Sequence, residues 1–269
     1  MKNSIIKLKP YYSEKIWGYE KWNLSTHKNG NSLVEGSNDK LVNYLNEELP
    51  ILIKIIKSNE SLSVQVHPDN EYAKKIENDN GKTECWYILE AKENAHLICG
   101  IKEGLNRELL SKAIEDGKIE NYLKEIPVKA GDMVYIPSGT VHAIQGGIKL
   151  LEVQQSSDVT YRLYDWGRDR EVHIEKSLDV IDFQQKNNAG KIENFKILTT
   201  PYFNVEKICV DGKYVDFVEN KFHSYTVIKG YGEIICKENI VKLEKEDTVY
   251  IPNGVKYTIN GNVELIKAY

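Results

Sequence analysis

Apolar residues fall in short clusters along this chain, rich in Val, Ile, Tyr and Thr and mostly separated by turn-forming residues. The runs at 51–56, 62–66, 85–89, 95–99, 133–136, 148–154, 225–228, 233–236 and 248–251 are each of strand length. Such a series predicts an all-β sandwich or barrel. Helical periodicity is confined to 38–48, 70–78 and 106–123, which predicts a few helices appended to a β core.

An internal repeat organises these elements. GDMVYIPSGTVHAI at 131–144 aligns without gaps with EDTVYIPNGVKYTI at 246–259. Upstream, ECWYILEAKENAHLIC and HSYTVIKGYGEIIC share a looser strand–turn–strand rhythm, so two similar units are expected, the first carrying 106–123 as an insertion. In each copy Ile-Pro-x-Gly reads as a strand end followed by a tight turn. The position of His142 is held in the second copy by Tyr257 or Lys256, neither a usual zinc ligand, so the second unit is expected to keep the fold and lack the metal. The expected division is a catalytic, metal-binding unit at 1–184 and a degenerate unit at 185–269.

A chain of 269 residues with 41% hydrophobic content has enough apolar material for two cores. Its net charge of -4, without blocks of like charge, offers nothing to nucleic acid or an anionic membrane, so a small-molecule partner is expected. MKNSIIKLKP lacks the apolar core of a secretory signal and no run of about 18 apolar residues occurs, which predicts a cytoplasmic location. Cys85, Cys99, Cys209 and Cys236 show no CxxC spacing and are expected as buried thiols.

The candidate chemistry sits in the first unit. In SLSVQVHPDNEYA, Gln65 and His67 stand two residues apart and share one strand face, with Pro68 ending the ladder. In GKTECWYILE the same parity groups Glu84 with Trp86 and Ile88, which sends a carboxylate into apolar surroundings where a bound cation would keep it charged. His142 follows the Pro-Ser-Gly turn and aims back toward the same interior. Gln65, His67, Glu84 and His142 together make a zinc-type set with one anionic ligand, leaving excess positive charge for a substrate that becomes an oxyanion. His27, His96, His173 and His223 lack such neighbours and are read as structural.

SVQVHPDNEYA, GKTECWYI, YIPSGTVHAI and LLEVQQSSDVTYRLYDW together resemble the class I mannose-6-phosphate isomerases in their short bacterial form, from KPYYSEKIWG to the second IPNG. The resemblance implies a mainly β fold of two cupin-type (jelly-roll) β-barrel units with a few helices. It implies one zinc per chain on the four residues named above, and a phosphorylated hexose substrate: mannose 6-phosphate and fructose 6-phosphate interconverted through an enediol. The family's catalytic arginine falls on Arg162, its pocket residues on Lys54, Ser63, Lys82 and Glu152, and the position of a family lysine on Arg168. Trp17 in IWG matches the N-terminal motif and is expected either beneath the sugar or in the core. The base remains open among Lys82, Glu152 and a metal-bound water. The alternatives are another metal-dependent cupin enzyme and a non-catalytic metal-binding cupin that holds a sugar, while oligomeric state is not legible.

Overall fold

A computed structural model describes residues 4–269, which divide into two compact units. One comprises 13–20 and 56–193; the other joins the described N-terminal segments 4–12 and 21–55 to 194–269. The passage between the units falls at 193/194, and segments 4–12 and 21–55, read from sequence as part of a unit at 1–184, belong with the C-terminal half. Strand pairing explains this: Ile6–Lys9 is hydrogen-bonded to Thr248–Pro252, a long-range contact with no signal in local sequence.

In the unit built on 56–193, Glu84–Ala91 is paired on one side with Met133–Ile136 and on the other with Ile148–Gln155, while Gly190–Ile192 extends the sheet beyond Met133–Ile136. A second sheet runs in the order Tyr161–Tyr164, Val64–Val66, His142–Ile144, His96–Ile101, Leu123–Pro127. Two apolar layers follow from residue alternation. Trp86, Ile88, Leu97, Cys99, Ile144 and Leu150 face one core. Val64, Val66, Ile98, Ala143, Leu110 and Leu178 face another, which includes residues of Arg107–Glu115 and Ile174–Val180. Because Val64 and Val66 point into the second layer, Gln65 between them points into the first.

The second unit is dominated by long strands, Asn204–Phe217, Phe222–Cys236 and Lys256–Ala268, hydrogen-bonded side by side with Lys256–Ala268 central. The two runs expected at 225–228 and 233–236 are one continuous strand. Gly230 reads as a turn residue but sits inside it, at φ 77°, beside a register shift between Val227 and Lys229. A Cβ there would lie 2.1 Å from the carbonyl oxygen of Asn262, so glycine is required by close strand approach rather than by a chain reversal. The strand orders are open paths, so both units are jelly-roll sheets rather than closed barrels.

Helices are shorter than their periodicity suggests. The 38–48 pattern yields only Leu41–Leu45, stopped by Asn46 in the left-handed region at φ 56°. The 106–123 pattern yields Arg107–Glu115, opened by Asn106, whose Oδ1 accepts from the Leu109 N–H at 2.9 Å, and then a 3₁₀ turn at Ile119–Tyr122. Asn70–Ile76 coincides closely with the expected 70–78, and Ile174–Val180 was not anticipated. All four cysteines are free; Cys209 is exposed, unlike the buried Cys85, Cys99 and Cys236. Among the described residues no helix is long and apolar enough to cross a membrane.

Trp17 lies in the apolar core with Trp86, Ile88 and Leu150, 5% exposed. Trp17→Ala is expected to lower folding stability by about 3–5 kcal/mol, measured as a reduced urea midpoint, while Trp17→Phe loses much less.

Candidate functional site

Backbone cross-links gather the site before any side chain contributes. The Gly139 N–H donates to the His67 carbonyl (2.9 Å), and the Lys82 N–H donates to the Pro68 carbonyl (3.0 Å). The end of Val64–Val66, the entry to Glu84–Ala91 and the Pro-Ser-Gly turn thereby meet at one point. Gly81 makes the second junction possible, since a Cβ on it would lie 2.4 Å from the Asp69 carbonyl carbon.

Strand register then sets the side chains. Gln65 is paired directly with His142 on one side and with Arg162 on the other, so all three project from the same face. Glu84, 0% exposed, comes from the facing sheet. His67, Glu84 and His142 are all buried, with ligand-type atoms within 4.8 Å of one another. His67 Nδ1 lies 2.9 Å from the Val159 carbonyl and His142 Nδ1 lies 2.8 Å from the Thr140 carbonyl. A carbonyl only accepts, so Nδ1 carries the proton in both rings and each neutral ring turns its Nε2 lone pair inward. The two Nε2 atoms stand 3.7 Å and 3.4 Å from Glu84 carboxylate oxygens. Burial, with the charge of Lys82 adding to it, pulls His142 down to about 4 against the opposing pull of the Thr140 carbonyl, which keeps the ring neutral and able to ligate.

This set fits a divalent cation. Two oriented imidazoles and one fully buried carboxylate are the donors such an ion takes. Gln65 turns Nε2 toward His142 Nε2 (3.3 Å) and Oε1 toward the Ser63 hydroxyl (3.5 Å); a half-turn of the amide would present the oxygen instead.

Around the ligands lie three further groups. Lys82, buried, places Nζ 2.7 Å from Glu84, 3.2 Å from His67 Nε2 and 3.9 Å from Glu152. Burial alone would lower its pKa, but Glu152 and Glu84 outweigh that and raise it, so the amine is an ammonium while no other cation is near. Glu152 is paired across the strands with Trp86 and accepts from the indole N–H at 2.9 Å. Arg162 Nη1 donates to the Glu171 carbonyl, and burial lowers its pKa, with the nearby charge of Arg170 contributing, although a guanidinium stays charged.

The loop that follows Arg162 is held by a second cluster. Asp165, buried, receives Arg168 Nη2 at 2.8 Å and Arg170 Nη2 at 2.6 Å. Burial would raise its carboxyl, yet Arg170 and Arg168 keep it below the usual carboxylate range. The chain turns through Trp166 and Gly167 at φ 56° and 79°, a conformation that costs tryptophan about 1–3 kcal/mol. Donation from Trp166 Nε1 to the Leu62 carbonyl at 2.6 Å helps to hold it.

The residues expected at the site therefore separate. Gln65, Ser63, His67, Lys82, Glu84, His142 and Glu152 are linked by the contacts above, and Arg162 is aligned with them through register. Arg168 is engaged by Asp165 and by the Ser61 carbonyl (2.7 Å), Trp17 by the core, and Lys54 belongs to the other unit, buried with Nζ 4.6 Å from the Trp22 ring centre. Sequence reading missed the Trp86–Glu152 bond, which strand pairing creates, and the carbonyls of Thr140 and Val159, which carry no residue-type signal.

Two jelly-roll units, one holding a buried His–Glu–His set beside a charged lysine and arginine, define a two-unit cupin with a metal-type centre. The sequence matches "Phosphomannose isomerase type I, catalytic domain" over residues 20–89 and "Mannose-6-phosphate isomerase, cupin domain" over 191–269. A mannose-6-phosphate isomerase of Streptococcus mutans is 38% identical, the match covering 93% of this chain and 88% of that protein; ManA of Bacillus subtilis is 35% identical over 97% of both. The crystal structure of a Bacillus subtilis mannose 6-phosphate isomerase superposes with a TM-score of 0.90 at 32% identity, covering 99% of each chain. A mannose 6-phosphate isomerase solved with zinc and yttrium bound shares the fold at 15% identity and a TM-score of 0.77. The chain belongs to the type I mannose-6-phosphate isomerases and is an enzyme of that family.

Glu84→Gln removes the only carboxylate of the His–Glu–His set while leaving its shape. Metal affinity, measured by competition with a chelator, is expected to fall by more than the roughly 10- to 100-fold that loss of an outer-shell partner costs.

Proposed function

We propose that the chain is a zinc-dependent aldose–ketose isomerase that interconverts mannose 6-phosphate and fructose 6-phosphate through an enediol. The observation that carries this reading is the inward convergence of two neutral imidazole nitrogens on Glu84, with Arg162 in the same row of side chains as Gln65 and His142. The names and identity levels of the relatives support the substrate, and the zinc in one of the solved structures supports the metal. Gln65, His67, Glu84 and His142 would hold one ion per chain.

Moving a proton between C1 and C2 of the sugar needs an acceptor, a donor and a sink for negative charge on oxygen. The ion, when bound, supplies Lewis-acid stabilisation of that oxygen. Glu152 is positioned by Trp86 and serves as the proton acceptor at carbon, because its Oε2 is fixed by the indole N–H while its Oε1 lies toward Lys82. Lys82, an ammonium between Glu84 and Glu152, serves as the donor to the sugar oxygen. Arg162 holds negative charge without giving up its proton. Arg168, with Nε and Nη2 directed at Asp165, braces the loop after Arg162 rather than binding phosphate.

The test is a coupled assay on mannose 6-phosphate combined with metal analysis. Wild-type protein is expected to carry one equivalent of zinc and to turn over. Arg162→Ala keeps its metal and loses kcat by about 10²- to 10³-fold, as when one oxyanion-stabilising donor is removed. Normal turnover by this variant, or inactivity explained by metal loss alone, would remove Arg162 from the mechanism.

A further inference from the structure

The two units share a pairing register as well as a sequence repeat. In the first, Glu84 pairs with Ile136, Trp86 with Glu152 and Gln65 with His142. In the second, His223 pairs with Ile251, Tyr225 with Lys267 and Asp216 with Tyr257. The alignment of 131–144 with 246–259 superposes Ile136 on Ile251 and His142 on Tyr257. The remaining equivalences follow by register: Asp216 stands for Gln65, His223 for Glu84, Tyr225 for Trp86 and Lys267 for Glu152.

These replacements invert the polarity of the site. In the first unit, acceptors converge on a place for a cation. In the second, donors converge on an anion: Asp216 Oδ2 receives Lys267 Nζ at 2.7 Å, Tyr257 Oη at 3.0 Å and Tyr214 Oη at 3.2 Å, while the single Tyr225 hydroxyl proton goes to Tyr257 Oη at 2.7 Å, with Asp216 Oδ2 3.2 Å from Tyr225 Oη. Proton bookkeeping is consistent. Burial takes His223 down to about 4, so its ring is neutral. With Nδ1 protonated it donates to Tyr257 Oη at 2.8 Å, which leaves the Tyr257 hydroxyl proton for Asp216. Tyr225 and Tyr257, 2.7 Å apart, are wholly buried, and Lys267 is 7% exposed, so these donors have little water to turn to. Burial would raise the Asp216 carboxyl, but Lys267 and the Phe217 N–H hold it at about 2.

We propose that the position equivalent to the metal centre in the second unit is a carboxylate site. Its donors are Tyr214, Tyr257 and Lys267, with Tyr225 behind Tyr257, its occupant is the chain's own Asp216, and it admits a free small carboxylate once that side chain is cut back. The site lacks the metal set of the first unit because a phenol, Tyr257, stands where His142 stands, and the imidazole of His223 is engaged through Nδ1 with Tyr257 Oη. It also ties Asn204–Phe217, Phe222–Cys236 and Lys256–Ala268 together at one point. The proposal rests on geometry internal to the second unit and holds whichever ion the first unit takes.

The experiment is thermal unfolding of the full chain in sodium formate against sodium chloride at equal ionic strength. Asp216→Ala removes one carboxylate group, the size of formate. This variant is expected to melt several degrees below wild type in chloride and to recover saturably with formate, as for a ligand that binds only the folded state. Wild type measures the general effect of the salt, and Asp216→Ala combined with Lys267→Met loses the formate-specific gain. Metal content of Asp216→Ala stays equal to that of wild type. If Asp216→Ala does not fold, Asp216→Asn, which fills the site without charge, is expected to melt lower than wild type and to ignore formate. No formate-specific recovery of Asp216→Ala, an Asp216→Asn variant as stable as wild type, or uptake of an additional metal equivalent by either variant would overturn the proposal.

Discussion

Glu84 is wholly buried, and a carboxylate removed from water must find positive charge or hydrogen-bond donors within a few ångströms or take up a proton. Much of the catalytic unit answers to that requirement. Lys82 reaches it at 2.7 Å only because Gly81 lets the preceding loop pass against Asp69. The two imidazoles face it because backbone carbonyls of Val159 and Thr140 fix their tautomers from behind. The fold thus supplies a negative centre flanked by two imidazoles that are already oriented; a divalent ion entering there would take the place of the Lys82 ammonium at Glu84 and His67 and require the Gln65 amide to turn.

The same ion would change the role of Lys82. In the metal-free chain, Glu84 and Glu152 outweigh burial and keep the amine charged. A divalent cation a few ångströms away opposes that charge, moving the ammonium toward the range in which it exchanges protons at working pH. On the proposed reading, one buried carboxylate would link ion binding to acid–base chemistry, through a residue only two positions away in the chain.

The second unit shows how little the frame depends on what it holds. Equivalent strands pair in equivalent register around a different set of polar side chains, because backbone hydrogen bonds and alternating apolar residues specify the sheet, whereas the inward polar positions are free to vary as a set. Changing one member alone would strand a charge. Asp216 without Lys267, or Lys267 without Asp216, leaves a poorly solvated ion.

Local pattern was enough to determine the β character, the strand at Met133–Ile136, the helix at Asn70–Ile76 and the shared faces of Gln65 with His67 and of Glu84 with Trp86, since each depends only on period-2 or period-3.6 spacing. The repeat was legible for the same reason: both copies solve one local problem, a strand ending in a proline–glycine turn. Tertiary structure alone decided that the N-terminal segments 4–12 and 21–55 join the C-terminal unit, that Gly230 lies within a strand, and that Trp86 holds Glu152. Each of these is a pairing between residues far apart in sequence, and the partner's identity is set by register rather than by neighbours. His223 illustrates the limit most clearly. In sequence it has no companions, and only the pairing of Phe222–Cys236 with Thr248–Pro252 and of Asn204–Phe217 with Lys256–Ala268 brings it beside Tyr257, Asp216 and Lys267.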